Sequence, residues 1–251
     1  MDGTLLNSKH EVSDRFFEIY KELTKKNILF VAASGRQYRS MVDKLESIKD
    51  DIIIIAENGA LVKQRDEVLL TTPISQAQVN RILDIVDPLK NVHPVLCGQN
   101  NAYVNGKSDS FLAMLQEYYS DFSVVGDQSS VEEEVLKIAI YHFENSEKHI
   151  YPAVRHLEDS MKVKVSGTHW VDVSHQNAHK GYALKKLMDQ HQIAADELMV
   201  FGDYNNDLEM LQLSNFSFAM ANAHPNVLEV AKYTTLSNNE FGVEAVLEKL
   251  L

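Results

Sequence analysis

Residues 198–207 read LMVFGDYNND, a short apolar run ending in an acidic, glycine-led loop. Such a run, bounded by turn residues, reads as a buried strand. In an open α/β sheet, ligands bind at the carboxyl ends of strands. Asp203 and Asp207 are hard oxygen donors suited to Mg2+, and the Asn206 amide can donate to a phosphate oxygen; the competing reading is an acidic helix-capping loop. The same texture recurs upstream. Residues 27–36 read NILFVAASGR and residues 52–59 read IIIIAENG. Each is an apolar run, a strand over 28–33 and another over 52–56, followed by a turn. Ser34 and the Gly35 N–H can hold a phosphate at a helix start, although Ser34 alone is equally an N-cap. Helices are expected over 11–26, with Ser13 as N-cap, and over 41–48. Strand, helix, strand with runs apolar on both faces signals a parallel sheet covered by helices.

From about residue 61 the pattern changes. A hairpin is expected over 61–70, helices over 75–89, 109–119 and 147–158, and strands over 92–97, 102–105, 135–142, 162–166 and 169–173. The alternation then returns, with a helix over 180–191, strands at 198–201 and 216–220, and helices at 207–213, 225–232 and 243–251. The expected fold class is α/β, a Rossmann-like parallel sheet core formed by 1–72 and 178–251, with an α+β insert over 73–177. Lys180 opens its helix at a core corner, where it can neutralise phosphate or simply be a solvated charge. Asp2-Gly3-Thr4 is a third loop, with Asp2 a possible acid/base and Thr4 a possible phosphate ligand, or else a frayed terminus. His175 and His179 are four apart, but no Glu follows His175 as a zinc motif requires.

Lys plus Arg is 24 and Asp plus Glu is 36 in 251 residues, a net charge of −12. That excess argues against nonspecific nucleic-acid binding and means that an anionic substrate needs a local cation. The single cysteine, Cys97, excludes an intramolecular disulfide framework and reads as a small buried apolar residue. No apolar stretch approaches the roughly 20 residues of a membrane helix, and the opening MDGTLLNSKH lacks secretory features, so no membrane partner and a cytoplasmic setting are expected.

Taken jointly and in order, these pieces resemble the haloacid dehalogenase superfamily of phosphatases. Asp2-Gly3-Thr4-Leu5-Leu6 is similar to the end of its first motif, DxDGT. Ser34 resembles the second-motif Ser/Thr, Lys180 the third-motif lysine, and Gly202–Asp207 the fourth motif, GDxxND. The insert lies between the second and third motifs, as in the subclass with a type IIB cap. Glu57-Asn58-Gly59-Ala60 and Asn238-Asn239-Glu240-Phe241-Gly242-Val243 are similar to the Cof-type branch, which includes sugar phosphatases. The resemblance implies Mg2+-dependent hydrolysis of a small phosphorylated metabolite, a sugar phosphate first and pyridoxal phosphate second, through an aspartyl-phosphate. It implies Asp2 as acid/base, Mg2+ held by the Asp2 carbonyl and Asp203 and steadied by Asp207, and Thr4, Ser34, Gly35, Lys180 and Asn206 around the phosphoryl group. Mg2+ and Lys180 would then supply the missing positive charge. The insert would close over the site and exclude water, with Gln99, Asn100, Asn101, His169 and Trp170 as substrate contacts or ordinary turn and strand-end residues.

The family nucleophile stands two positions before the acid/base, which is one position before Met1. The expectation is that the functional protein begins upstream, with a short apolar strand and an Asp. Roughly six apolar residues at about 1.5–3 kcal/mol each make such a strand worth on the order of 10 kcal/mol, comparable with a whole domain's stability of about 5–15 kcal/mol. The alternative is a nucleophile-less protein that binds a phosphosugar. A phosphomutase would share the chemistry, whereas a receiver domain has no room for the insert. The oligomeric expectation is a monomer or small homo-oligomer.

Overall fold

Ser13 caps the first helix: its Oγ accepts from the Phe16 N–H, and α1 runs Asp14–Thr24. The computed structural model describes residues 1–116, 119 and 121–251. After α1 come β1 (Val31–Ala33), α2 (Tyr38–Lys44), β2 (Ile53–Ala56), β3 (Leu61–Gln64) and β4 (Glu67–Thr71). Next are α3 (Gln76–Val86), β5 (Val92–Cys97), β6 (Ala102–Asn105), α4 (Asp109–Leu115), β7 (Ser123–Val125), β8 (Lys137–His142), α5 (Ser146–His149), α6 (Tyr151–Val154), β9 (Met161–Val165) and β10 (Trp170–His175). The chain closes with α7 (Lys180–His191), β11 (Met199–Gly202), α8 (Leu208–Leu211), β12 (Phe216–Ala219), α9 (Pro225–Val230), β13 (Tyr233–Thr234) and α10 (Gly242–Leu247). Two compact units result, Met1–Leu70 with His179–Leu251, and Thr71–Ala178.

In the first unit β1 and β2 run parallel, Val31 opposite Ile53, and β3 returns antiparallel to β2. A second sheet of β11, β12 and β13 is all parallel. Val31, Ala33, Ile53, Ile55 and Val200 share one apolar cluster with Ala183, Leu184, Leu187 and Met188 of α7. On the other side Phe30 meets Phe16 and Tyr20 of α1 edge-on, at 6.1 and 4.8 Å between ring centres. These strands are apolar on both faces because both are covered.

The second unit is a six-stranded sheet in the order β7-β6-β5-β8-β10-β9, antiparallel except where β6 meets β7. Alternation decides its packing. Leu96, Ile138, Ile140, Val171 and Val173 face α3 and α6; Val95, Cys97, Ala139 and Tyr141 face Phe111 and Leu115 of α4. Among the described residues no helix is long and apolar enough to cross a membrane.

Several expectations need correction. The strand over 28–33 is only Val31–Ala33, because pairing with β2 starts at Val31 and Ile28 and Leu29 stay exposed. The helix over 147–158 breaks into α5, α6 and a 3-10 turn at Arg155–Asp159, because Pro152 lacks the N–H that would continue α5. The short strands β7 and β13 were not expected. The end of the helix predicted over 109–119 falls partly on residues 117 and 118, outside the described residues.

Candidate functional site

Residues 1–4 tie two strand ends of the first unit together. The N–H groups of Thr4, Leu5 and Leu6 all donate to the Met1 carbonyl, at 3.1, 2.9 and 2.9 Å. The Met1 nitrogen donates to the Ala33 carbonyl at the end of β1, 3.4 Å away. The Thr4 hydroxyl donates to the Asp203 carboxylate just beyond β11. The turn after β1 is fixed from β2, with Ser34 N–H on the Ile55 carbonyl at 2.9 Å and Arg36 N–H on Ser34 Oγ at 3.2 Å. A cleft of about 390 Å3 opens at these strand ends, lined by Asp2, Ser34, Gly35, Lys180, Asp203 and Asn206, with Arg36, Tyr204 and Asp207. The strand-end location matches the expectation for an α/β sheet.

Two cations face carboxylates in this cleft. Lys180 Nζ donates to Asp207 Oδ1 at 2.6 Å, and both side chains are 4% exposed. The other Asp207 oxygen accepts the N–H groups of Asp203 and Tyr204 at 3.0 and 3.2 Å. Burial pushes the Asp207 carboxyl up, but the Lys180 charge and hydrogen bond overcome it and hold the group below the usual carboxylate range. Both Asp207 oxygens thus accept hydrogen bonds, so this side chain fixes the loop and the lysine. Asp203 is different. Burial raises its carboxyl above the usual range against the hydrogen bond from Thr4, and desolvation of this kind favours an added cation. The Asp203 carboxylate, with one oxygen accepting from Thr4, beside the buried Asp207 carboxylate is a donor set that fits Mg2+, which takes one or two carboxylates and completes its shell with water or phosphate. The Thr4 hydroxyl, read from sequence as a phosphate ligand, is occupied with Asp203.

Asp2 is gripped on both oxygens by Arg36, Nε to Oδ2 at 2.7 Å and Nη2 to Oδ1 at 2.5 Å. His10 Nδ1 lies 3.2 Å from Oδ1. The Arg36 hydrogen bonds lower the Asp2 carboxyl to about 2 against the opposing effect of burial. Bidentate Arg–carboxylate pairing of this kind is charge-assisted and directional. Sequence reasoning assigned Arg36 no role, although it directly follows Ser34-Gly35. The contact between Asn206 and Asn58, 2.9 Å from Nδ2 to Oδ1, joins residues 148 positions apart and has no local signal.

The family model for haloacid dehalogenase-like hydrolases matches residues 1–247. The chain belongs to that family. A protein of Escherichia coli, named a 5-amino-6-(5-phospho-D-ribitylamino)uracil phosphatase, is 30% identical over 254 residues, covering 100% of this chain and 94% of that protein. A putative phosphatase of Bacillus subtilis is 28% identical, covering 100% of this chain and 96% of its own length. The crystal structure of a Eubacterium rectale protein is 27% identical with a TM-score of 0.90, covering 100% of this chain and 97% of that one. This hydrolase is therefore a phosphatase of the family, with the family's α/β fold.

The candidates of the second unit fall into two groups. Gln99 Nε2 donates to Glu134 at 2.9 Å, the Asn100 N–H to Glu133 at 2.8 Å and Asn101 Nδ2 to Ser123 Oγ at 2.6 Å. These residues follow β5, at the end of the sheet where the chain enters the unit and Thr71 Oγ1 donates to Glu134. His169 Nδ1 bonds the His142 carbonyl at 3.1 Å, and Trp170 packs edge-on against Tyr141 at 4.8 Å. Cys97 aligns through Lys137 with Ser174, and Trp170 is four residues along β10 from there, roughly 13 Å. One small ligand does not reach both groups.

Proposed function

We propose that this protein hydrolyses a small phosphomonoester carried on a polyhydroxylated chain, a sugar or polyol phosphate, with Mg2+ and through an aspartyl-phosphate. The observation that carries this reading is the single cleft into which Asp2, Ser34, Lys180, Asp203 and Asn206 converge. Asp203 and the Asp2 carbonyl would hold the metal, with Asp207 steadying the loop. Bound there, Mg2+ would supply positive charge to the phosphoryl oxygens. Ser34, the Gly35 N–H, Lys180 and Asn206 would orient those oxygens for in-line displacement, which is mostly positioning and electrostatics.

The chemistry divides into two displacements. A carboxylate attacks phosphorus, the ester P–O bond breaks, and Asp2 gives its proton to the departing alcohol. Asp2 then takes a proton from water as the water oxygen attacks phosphorus, and the acyl phosphate P–O bond breaks to release phosphate. With Arg36 on both oxygens Asp2 is in its base form, suited to the second displacement, and serving as acid requires it to part from Arg36.

The second unit is read as a type IIB cap that excludes water from the reaction. Gln99, Asn100 and Asn101 supply amides suited to substrate hydroxyls. The ribityl phosphate named for the E. coli relative falls in this substrate class. The test is a panel of sugar, polyol and pyridoxal phosphates beside a generic aryl phosphate, assayed with the protein as its natural gene expresses it. Phosphate release fastest from a sugar or polyol phosphate is expected. Preference for a flat phosphorylated ring without hydroxyls contradicts the substrate reading, and no release from any ester favours a phosphosugar-binding protein.

A further inference from the structure

Residues 57–59 adopt a backbone that most side chains avoid. Glu57, Asn58 and Gly59 have φ of 49°, 55° and 104° in succession. A non-glycine residue in the left-handed region costs on the order of 1 kcal/mol or more and persists only where the surroundings enforce it. Three neighbouring loops enforce it here. The Glu57 N–H donates to the Arg36 carbonyl at 2.9 Å and the Asn58 N–H to the Ser34 carbonyl at 3.0 Å. Gly59 lies so close to the start of α7 that a Cβ there would come within 2.4 Å of the His179 carbonyl oxygen and 2.9 Å of the Lys180 nitrogen. The Asn58 side chain fills the remaining gap. Its Oδ1 accepts Asn206 Nδ2 at 2.9 Å, and a Cβ on Gly35 would lie 2.9 Å from that same oxygen. The turn after β2 is thus wedged among the Ser34-Gly35-Arg36 loop, the Asn206 loop and the N-terminus of α7.

We propose that Asn58 is a positioning residue for phosphate: by accepting one Asn206 N–H it aims the other at a phosphoryl oxygen, and its amide packs against Gly35 of the same cradle. This rests on the phosphatase reading of the cleft. Asn is the fitting residue because it tolerates the left-handed region and its short amide reaches a neighbour with an acceptor. Asn58 does not itself touch substrate. The consequence is that Asn58 and Asn206 act as one unit, so removing either loses the same interaction.

The experiment measures inorganic phosphate binding by calorimetry in the presence of Mg2+, which needs no turnover. Wild type is compared with Asn58→Gly, Asn206→Ala and the double variant. Glycine keeps the left-handed backbone without strain, so the Asn58→Gly protein should retain the wild-type thermal midpoint within a few degrees. Its phosphate affinity should fall roughly three- to tenfold, the scale of one neutral hydrogen bond. The double variant should bind no more weakly than Asn206→Ala alone. Wild-type affinity in Asn58→Gly overturns the proposal, as do additive losses in the double variant. A wild type that binds no phosphate overturns the phosphatase reading of the cleft and the proposal with it.

Discussion

Lys180 and Asp207 meet with each side chain 4% exposed, whereas Arg36 and Asp2, in the same cleft, leave 27% and 43% of their side chains open. Both are cation–carboxylate pairs with a contact of 2.6 or 2.5 Å, so geometry alone does not separate them. Solvent does. A buried pair cannot lose one partner without leaving a charge stranded in the interior, which makes Lys180–Asp207 a fixed part of the scaffold. A half-open pair can exchange partners with water or substrate at smaller cost, as the proposed acid/base role of Asp2 requires. One cleft thus contains one pair closed off from solvent and one pair open to it.

Lys180→Met is the strongest way to break that contrast. It leaves Asp207 buried without its cation, and a loss of about 3–5 kcal/mol is expected in a denaturant titration, together with loss of phosphate binding. A midpoint equal to wild type would show that the buried pair is not structural. Asp2→Asn should behave oppositely. Turnover of the natural protein should drop by at least about 10²-fold, while stability changes by less than about 1 kcal/mol; a large stability loss with retained turnover would reverse the assignment of the two pairs. The smallest effect concerns acid. The Asp2 carboxyl is lowered to about 2 in the folded protein, so the stability from its pairing is present above the unfolded value near 4 and is lost as pH falls from there toward 2. Arg36→Gln should flatten the stability profile in that window: the variant should be less stable than wild type at neutral pH by the small amount that wild type loses on acidification, and the two should converge toward pH 2. An unaltered acid limb would show that Arg36 does not hold Asp2.

Much of this was legible in the chain because the relevant signals are local. The helix Lys180–His191 and the strands Val92–Cys97 and Ala102–Asn105 follow apolar periodicity and clear turn residues. The single helix expected over 147–158 is interrupted at Pro152, and β13, with two residues, is too short to carry a period. The site divides the same way. Asp203 and Asp207 are visible as a spacing, but only packing shows that Lys180 and the Asp203 and Tyr204 N–H groups engage both oxygens of Asp207 while Asp203 accepts from Thr4. Arg36 reaches back 34 positions to Asp2, a pairing that no local pattern encodes.

The most direct measurement is phosphate release by the natural protein as Mg2+ is removed with EDTA and then restored, run beside Asp203→Asn. Wild-type turnover should disappear without the metal and return with it. Asp203→Asn should need at least about tenfold more Mg2+ to recover any activity. Full turnover in excess EDTA, or an unchanged Mg2+ requirement in Asp203→Asn, would contradict the proposed metal dependence.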